Sequence, residues 1–262
     1  MIQTEITIQK IAGGIWELSG PPAGFFFYLI LGENSAALID SGIGIGSVME
    51  KIRTVTELPV KLILTHGHPD HAGGAAEFNE VYICPLELDV YDSMATRSFR
   101  EKDVAHMPGG DNFLKVLQPT GPRPEFVSDG EVIDLGGRAL KIIYTPGHTH
   151  GSISIYDRKT KSMFTGDNVQ GRETALREWN SSGLEEYVNS LTKLKQYDIE
   201  MIYGGHRPNR NEPFQIDKLI SCAQDILGGA QGEERPSRGG GTSLVYEKDG
   251  VLISYTKDKI SN

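Results

Sequence analysis

Three of the chain's seven histidines fall in one short segment, THGHPDHAGG (65–74), together with an aspartate. Imidazole is the commonest protein ligand for transition metals, and a carboxylate is the natural oxygen partner of a divalent cation. His66 and His68 are two residues apart, so in an extended segment they point the same way. Asp70 and His71 sit where the chain turns into its next element and can face a second point nearby. Three further segments have the same form, a strand end meeting a polar residue: YTPGHTHGS (144–152) with His148, FTGDN (164–168) with Asp167, and YGGHRP (203–208) with His206. Each alone reads as a capping or surface residue. Together with the first cluster they supply five histidines and two aspartates, enough for two metal ions with an open position each, which is what a catalytic site requires.

The elements that must position these residues follow from periodicity. ITIQKIAGGIWELSG reads as two alternating strands broken at Gly13–Gly14, and FFFYLILGENSAALIDSGI as a hairpin turning at 32–34. Residues 46–57 predict an amphipathic helix with Val48, Met49, Ile52 and Val55 on one face. KLILT (61–65) is a buried strand leading into a loop at 66–70 and a short helix over 71–79, and VYIC (81–84) is another strand. Residues 85–125 break this rhythm and predict a helical insertion or lid. Strands resume at 131–135, 139–145, 152–157 and 161–167, followed by a helix over 184–197, a strand over 199–205 and a helix over 213–227. Arg172, Arg177 and Trp179 fall in a loop and read as surface residues. Residues 228–241 read as a mobile stretch, and 243–256 as a closing hairpin with an exposed edge. The second half thus repeats the first: hairpins, a helix, then a short strand ending in a polar loop. Two such halves would stack face to face as a four-layer αββα sandwich, a single α/β domain over 1–262.

Composition narrows the partners. With 26 Lys and Arg against 35 Asp and Glu, the formal charge is −9, which lacks the basic footprint of a nucleic-acid binder. The longest apolar run, Phe25–Leu31, is too short to cross a membrane, and MIQTEITIQK is no signal peptide, so the expected setting is cytoplasmic. Cys84 and Cys222 cannot build a disulfide framework and read as buried thiols. Nothing in the sequence fixes an oligomeric state.

THGHPDHAGG, TPGHTHGS, TGD and GGH, in that order, resemble the motifs of the metallo-β-lactamase superfamily over about Ile15–His206. That resemblance implies the αββα sandwich. It also implies a ligand set in which His66, His68 and His148 hold one metal, Asp70, His71 and His206 hold a second, and Asp167 bridges them. Asp40, in LIDSG, matches the family's first-motif aspartate, a supporter of the site. The implied activity is that of a metal-dependent hydrolase, with two divalent ions (zinc by expectation, iron or manganese by ligand type) activating a bridging hydroxide. Asp70 steers the proton and Asp167 holds the ions together. The implied substrate is a small ester, thioester, lactone or phosphoester.

Departures from individual branches narrow this further. Class B penicillin-degrading members lack the bridging aspartate that Asp167 supplies. Glyoxalase II-like members carry a C-terminal helical domain for glutathione, whereas the 56 residues after His206 hold one clear helix. Quorum-sensing lactonases place a tyrosine three residues after the bridging aspartate, where this chain has Gln170. The basic arm of tRNA-processing members is missing from this acidic chain. Persulfide dioxygenase-like members keep the same histidine cluster around one iron. A mononuclear iron oxygenase and a non-catalytic metal-binding member therefore stay open as alternatives.

Overall fold

A computed structural model describes residues 3–22, 24–171, 173–237 and 241–260; Arg172 lies outside them. Strands β1 (Thr7–Ala12), β2 (Ile15–Gly20), β3 (Phe25–Leu31) and β4 (Ala36–Ile39) form an antiparallel meander. Helix α1 (Val48–Ile52) leads to β5 (Val60–Ile63), parallel to β4, and helix α2 (Pro69–Ala72) leads to β6 (Val81–Ile83), parallel to β5. Helices α3 (Leu88–Met94), α4 (Arg97–Ala105) and α5 (Gly110–Phe113) form the insertion, and β7 (Glu125–Phe126) completes a seven-stranded sheet. A second meander runs through β8 (Val132–Asp134), β9 (Ala139–Tyr144), β10 (Ile153–Asp157) and β11 (Ser162–Gly166). Strand β12 (Glu173–Leu176) and helix α6 (Leu184–Leu194) intervene before β13 (Met201–Gly204) returns parallel to β11, with β14 (Arg210–Asn211) as its edge. Helix α7 (Phe214–Leu227) and strands β15 (Glu233–Pro236), β16 (Thr242–Lys248) and β17 (Val251–Tyr255) follow.

The half-repeat is present: each half is a meander, then a helix, then a strand parallel to the last of the meander. The two large sheets pack face to face, with helices on their outer faces. Strand β3 shows why its run is apolar throughout: Phe26, Tyr28 and Ile30 face the second sheet, while Phe27 and Leu29 face the helical layer. With both faces covered, the alternation of a half-exposed strand disappears. Cys84 and Cys222 are both buried as free thiols.

Five expectations need correction. The helix over 46–57 stops at Ile52, because the β-branched run Thr54–Thr56 leaves it, with Thr54 Oγ1 donating back to Lys51 O and the Arg53 guanidinium donating to Thr56 O and Leu58 O. In place of the helix expected at 71–79 there is Pro69–Ala72, so Asp70, expected in the loop ahead of it, lies in its first turn with His71; proline at the first helical position is preset for that start. The loop expected after Asp167 contains β12, and within the stretch 228–241 read as mobile, residues 233–236 form β15, while 238–240 lie outside the described residues. Both strands flank the closing hairpin in a third sheet of order β12-β17-β16-β15, so the hairpin is not an exposed edge. This sheet packs against α7, and Val251, Ile253 and Tyr255 join Leu191, Leu194, Cys222 and Ile226 in one buried cluster. Ile253→Ala is expected to cost about 2–5 kcal/mol of stability, as for other fully buried large-to-small changes, and equilibrium urea unfolding would measure it.

The insertion is packed against the body. Arg100, fully buried on α4, donates to the carbonyls of Ala95, Ile43, Gln118 and Pro119. Val104, Phe113 and Leu117 bury against Ile43 and Ile45, with Phe25 alongside.

Candidate metal centre

Strand register brings the site together. Ile39 of β4 lies opposite Ile63 of β5, so Asp40 and Thr65–His66 leave the first sheet at neighbouring points. Gly166 of β11 lies opposite Gly204 of β13, so Asp167 and His206 leave the second sheet side by side. Ligands in α/β proteins gather at the carboxyl ends of strands, and here two such ends face one another.

All seven histidines and aspartates singled out in the sequence as metal-ligating converge. Nδ1 of His68 lies 3.2 Å from His66 Nε2 and 3.0 Å from His148 Nε2. In a second group, Asp70 Oδ2 is 3.2 Å from His206 Nε2 and 3.9 Å from His71 Nε2. Asp167 lies between the groups, its oxygens 3.2 Å from His71 Nε2, 3.3 Å from His206 Nε2 and 3.7 Å from His148 Nε2. Within each group the potential donor atoms are no more than 4.8 Å apart. The first group is buried, whereas Asp70 and His206 keep about a quarter of their side-chain surface, 24% and 27%, which makes their side the mouth.

The nitrogen of each histidine that points away from the centre has a partner. His71 Nδ1 donates to Asp40 Oδ2 at 2.8 Å. His66 Nδ1 is 3.1 Å from Thr65 Oγ1, which itself donates to the same Asp40 oxygen at 2.8 Å. His148 Nδ1 donates to Ala175 O at 2.8 Å, and His206 Nδ1 to Gly24 O at 2.9 Å. These partners fix the tautomers and leave Nε2 of His66, His71, His148 and His206 turned inward. Asp40 adopts φ 60°, a left-handed conformation rare outside glycine, and this turn lets one carboxylate reach both Thr65 and His71. Asp40 thus bonds His71 directly and meets His66 through Thr65.

Charge is divided unevenly. Burial pushes His66, His68 and His148 below the ordinary imidazole range, His68 to about 3, so they are neutral lone-pair donors at physiological pH. Burial also opposes charge on His71 and His206, yet the neighbouring carboxylates, Asp167 foremost, raise both, His206 to about 10. Asp70 and Asp167 stay below the usual carboxylate range despite burial, because His71 and His206 face them. The carboxylate side therefore demands positive charge. His71 Nε2 and Asp167 Oδ1 are buried without a hydrogen-bond partner although 3.2 Å apart, as expected of two donors aimed at a common third point. Neutral imidazoles, anionic carboxylates and these unpartnered inward atoms fit divalent cations.

Sequence reasoning missed Asn180. It is buried on the loop after β12, its Nδ2 lies 3.1 Å from His68 Nε2, and its Oδ1 has no partner. If His68 presents Nδ1 to a metal, its Nε2 carries the proton and needs an acceptor, which the Asn180 amide supplies once turned over. No local pattern marks this residue, since it meets His68 across the fold. His106 and His150, given no ligand part, lie outside the cluster: His106 bonds Lys102 O, and His150 faces Ser182. Phe25 sets its ring edge-on to His206 at 5.6 Å, linking the insertion's apolar cluster to the mouth.

An α/β sandwich with histidines and aspartates gathered between facing strand ends defines a class, and the profile of the metallo-beta-lactamase superfamily matches residues 26–206. The chain belongs to that superfamily, whose members usually bind divalent metal ions. It is 30% identical over 216 residues to an acyl-coenzyme A thioesterase, MBLAC2, of Gallus gallus, covering 76% of this chain and 77% of that protein. It is 28% identical over 204 residues to the hydroxyacylglutathione hydrolase GloC of Haemophilus influenzae, covering 71% and 90%. In structure it is similar to a metallo-beta-lactamase from Pontibacter korlensis, with a TM-score of 0.63 at 18% identity over 84% of this chain and all of that one. These relatives support a metallohydrolase. No helix among the described residues is long and apolar enough to cross a membrane.

Proposed function

We propose that the protein hydrolyses thioesters of small carrier thiols, using two divalent metal ions, zinc by preference, held by His66, His68 and His148 on one side and Asp70, His71 and His206 on the other, with Asp167 shared. The observation that carries this reading is Asp167, a single buried carboxylate within 3.7 Å of inward nitrogens from both groups. Bound there, the ions would acidify a water and polarise the thioester carbonyl oxygen.

The chain's own residues supply the rest. Asp40 and the carbonyls of Ala175 and Gly24 hold the imidazoles in the tautomer that binds. Asp70, at the mouth beside His206, is placed to accept a proton from the attacking water and release it to solvent. The residue three positions after Asp167 is Gln170, whose amide cannot protonate a departing oxyanion. A thiolate leaves without such help, its conjugate thiol having a pKa of about 8.5. The similarity to an acyl-coenzyme A thioesterase and a hydroxyacylglutathione hydrolase, both acting on thioesters, supports the same choice. The shared segment covers 90% of the second, so a separate C-terminal helical domain is no requirement for that activity.

The test is thiol release from a panel of acyl-coenzyme A and hydroxyacylglutathione substrates, before and after chelation. Turnover that chelation abolishes and added zinc restores would support the proposal. Metal-loaded protein that hydrolyses no thioester, or that consumes oxygen with a persulfide, would refute it. Asn180→Ala is expected to weaken one of the two metals about tenfold by leaving the His68 Nε2 proton without an acceptor, a loss measurable by competition with a chromophoric chelator.

A further inference from the structure

Glu87 is fully buried where the chain passes from β6 into α3. Its Oε2 accepts the Gly67 N–H at 2.7 Å, and its Oε1 accepts the Gly151 N–H at 2.8 Å. Gly67 stands between His66 and His68, and Gly151 lies three residues beyond His148. One carboxylate therefore ties the loop carrying two of the histidines to the loop carrying the third. Both loops approach closely enough to exclude a side chain: a Cβ at Gly67 would lie 2.7 Å from the Tyr91 nitrogen, and one at Gly151 would lie 2.8 Å from Glu87 Cγ. A buried carboxylate is a costly way to fill space, and among the described residues the hydrogen bonds that offset its cost come from the two loops it joins.

We propose that Glu87 is a positioning residue that sets the distance between His148 and the His66–His68 pair, and through it the affinity and geometry of the metal those three histidines hold. This rests on the ligand set proposed above. Metal–nitrogen bonds of about 2.0–2.1 Å leave little tolerance for a loop that drifts, and functional constellations need their members held within roughly 0.5 Å. Nothing in the chemistry of Glu87 touches substrate; it acts through backbone amides.

Glu87→Gln decides the matter, because it keeps shape and volume but turns an N–H toward one of the two backbone N–H groups, whichever way the amide lies. Wild-type and variant protein, stripped and titrated with cobalt(II), would be followed by visible absorption and by chelator competition, with thermal melting as a check on folding. The wild type is expected to take two equivalents. The variant should hold one of them at least about tenfold more weakly, with an altered visible band for that site alone and the other equivalent unchanged. Gly151→Ala, which crowds Glu87 Cγ from the opposite loop, should shift the same site in the same direction and serves if the glutamine variant does not fold. A Glu87→Gln protein that binds both cobalt ions with wild-type affinity and spectrum overturns the proposal. A wild type that binds no cobalt overturns the ligand set itself, which is a different result.

Discussion

Asp167→Asn is expected to lower kcat/KM for thioester hydrolysis by about a thousandfold or more, with the fold retained. The substitution preserves shape, but replaces an anion within 3.7 Å of three inward imidazole nitrogens by a neutral amide with one oxygen instead of two. A carboxylate can serve two cations at once; an amide oxygen serves one weakly, and its nitrogen repels the other. Losing about 4 kcal/mol of metal-borne charge stabilisation corresponds to three powers of ten at 1.36 kcal/mol each. The strand that leads to the residue, β11, depends instead on the packing of Met163 and Phe164, both fully buried, so circular dichroism should be close to wild type. Thiol-release kinetics with metal content measured on the same sample is the check, and turnover within tenfold of wild type would contradict a shared ligand.

The second large effect is expected of Asp40→Ala, a residue that touches neither substrate nor the inward atoms. Its carboxylate takes the Thr65 N–H at 2.7 Å, the Thr65 hydroxyl at 2.8 Å and His71 Nδ1 at 2.8 Å. Removing it leaves three buried donors without an acceptor and frees two imidazoles to rotate, His71 directly and His66 through Thr65. Breaking such a network costs about 3–5 kcal/mol, or roughly 10 °C in melting temperature for a chain of this size. Metal affinity should fall by about 10–100-fold, as when other outer hydrogen-bond partners of metal-ligating histidines are removed. Melting of the metal-loaded protein and chelator competition read the two effects separately. Loss of stability with metal affinity unchanged would mean that Asp40 holds the fold and not the site.

The site was more legible in the sequence than the architecture around it, for a physical reason. His66, His68, Asp70 and His71 lie within six residues of one another, so their convergence is written locally. His148, Asp167 and His206 are distant in sequence and were found because each follows a strand, and parallel strand ends deliver their next residues to one place. Asn180 and Glu87 have no such signature. Asn180 meets His68 from 112 residues away, and Glu87 meets Gly151 from 64, so only the tertiary fold brings these groups together. The third sheet was hidden likewise: β12 is four residues of mixed polarity, ETAL, and its partner β17 lies at the far end of the chain. The αββα layers were readable from the half-repeat; the sheet packed against α7 breaks that repeat and so left no trace in it.

The most direct test of metal-dependent hydrolysis at this site is the metal content of the protein purified without added metal, by elemental mass spectrometry. Two divalent ions per chain in the wild type, zinc foremost, falling to one or fewer in Asp167→Asn, is the result expected from the shared carboxylate. A single iron per chain, or no metal in a protein that still hydrolyses thioesters, would contradict it.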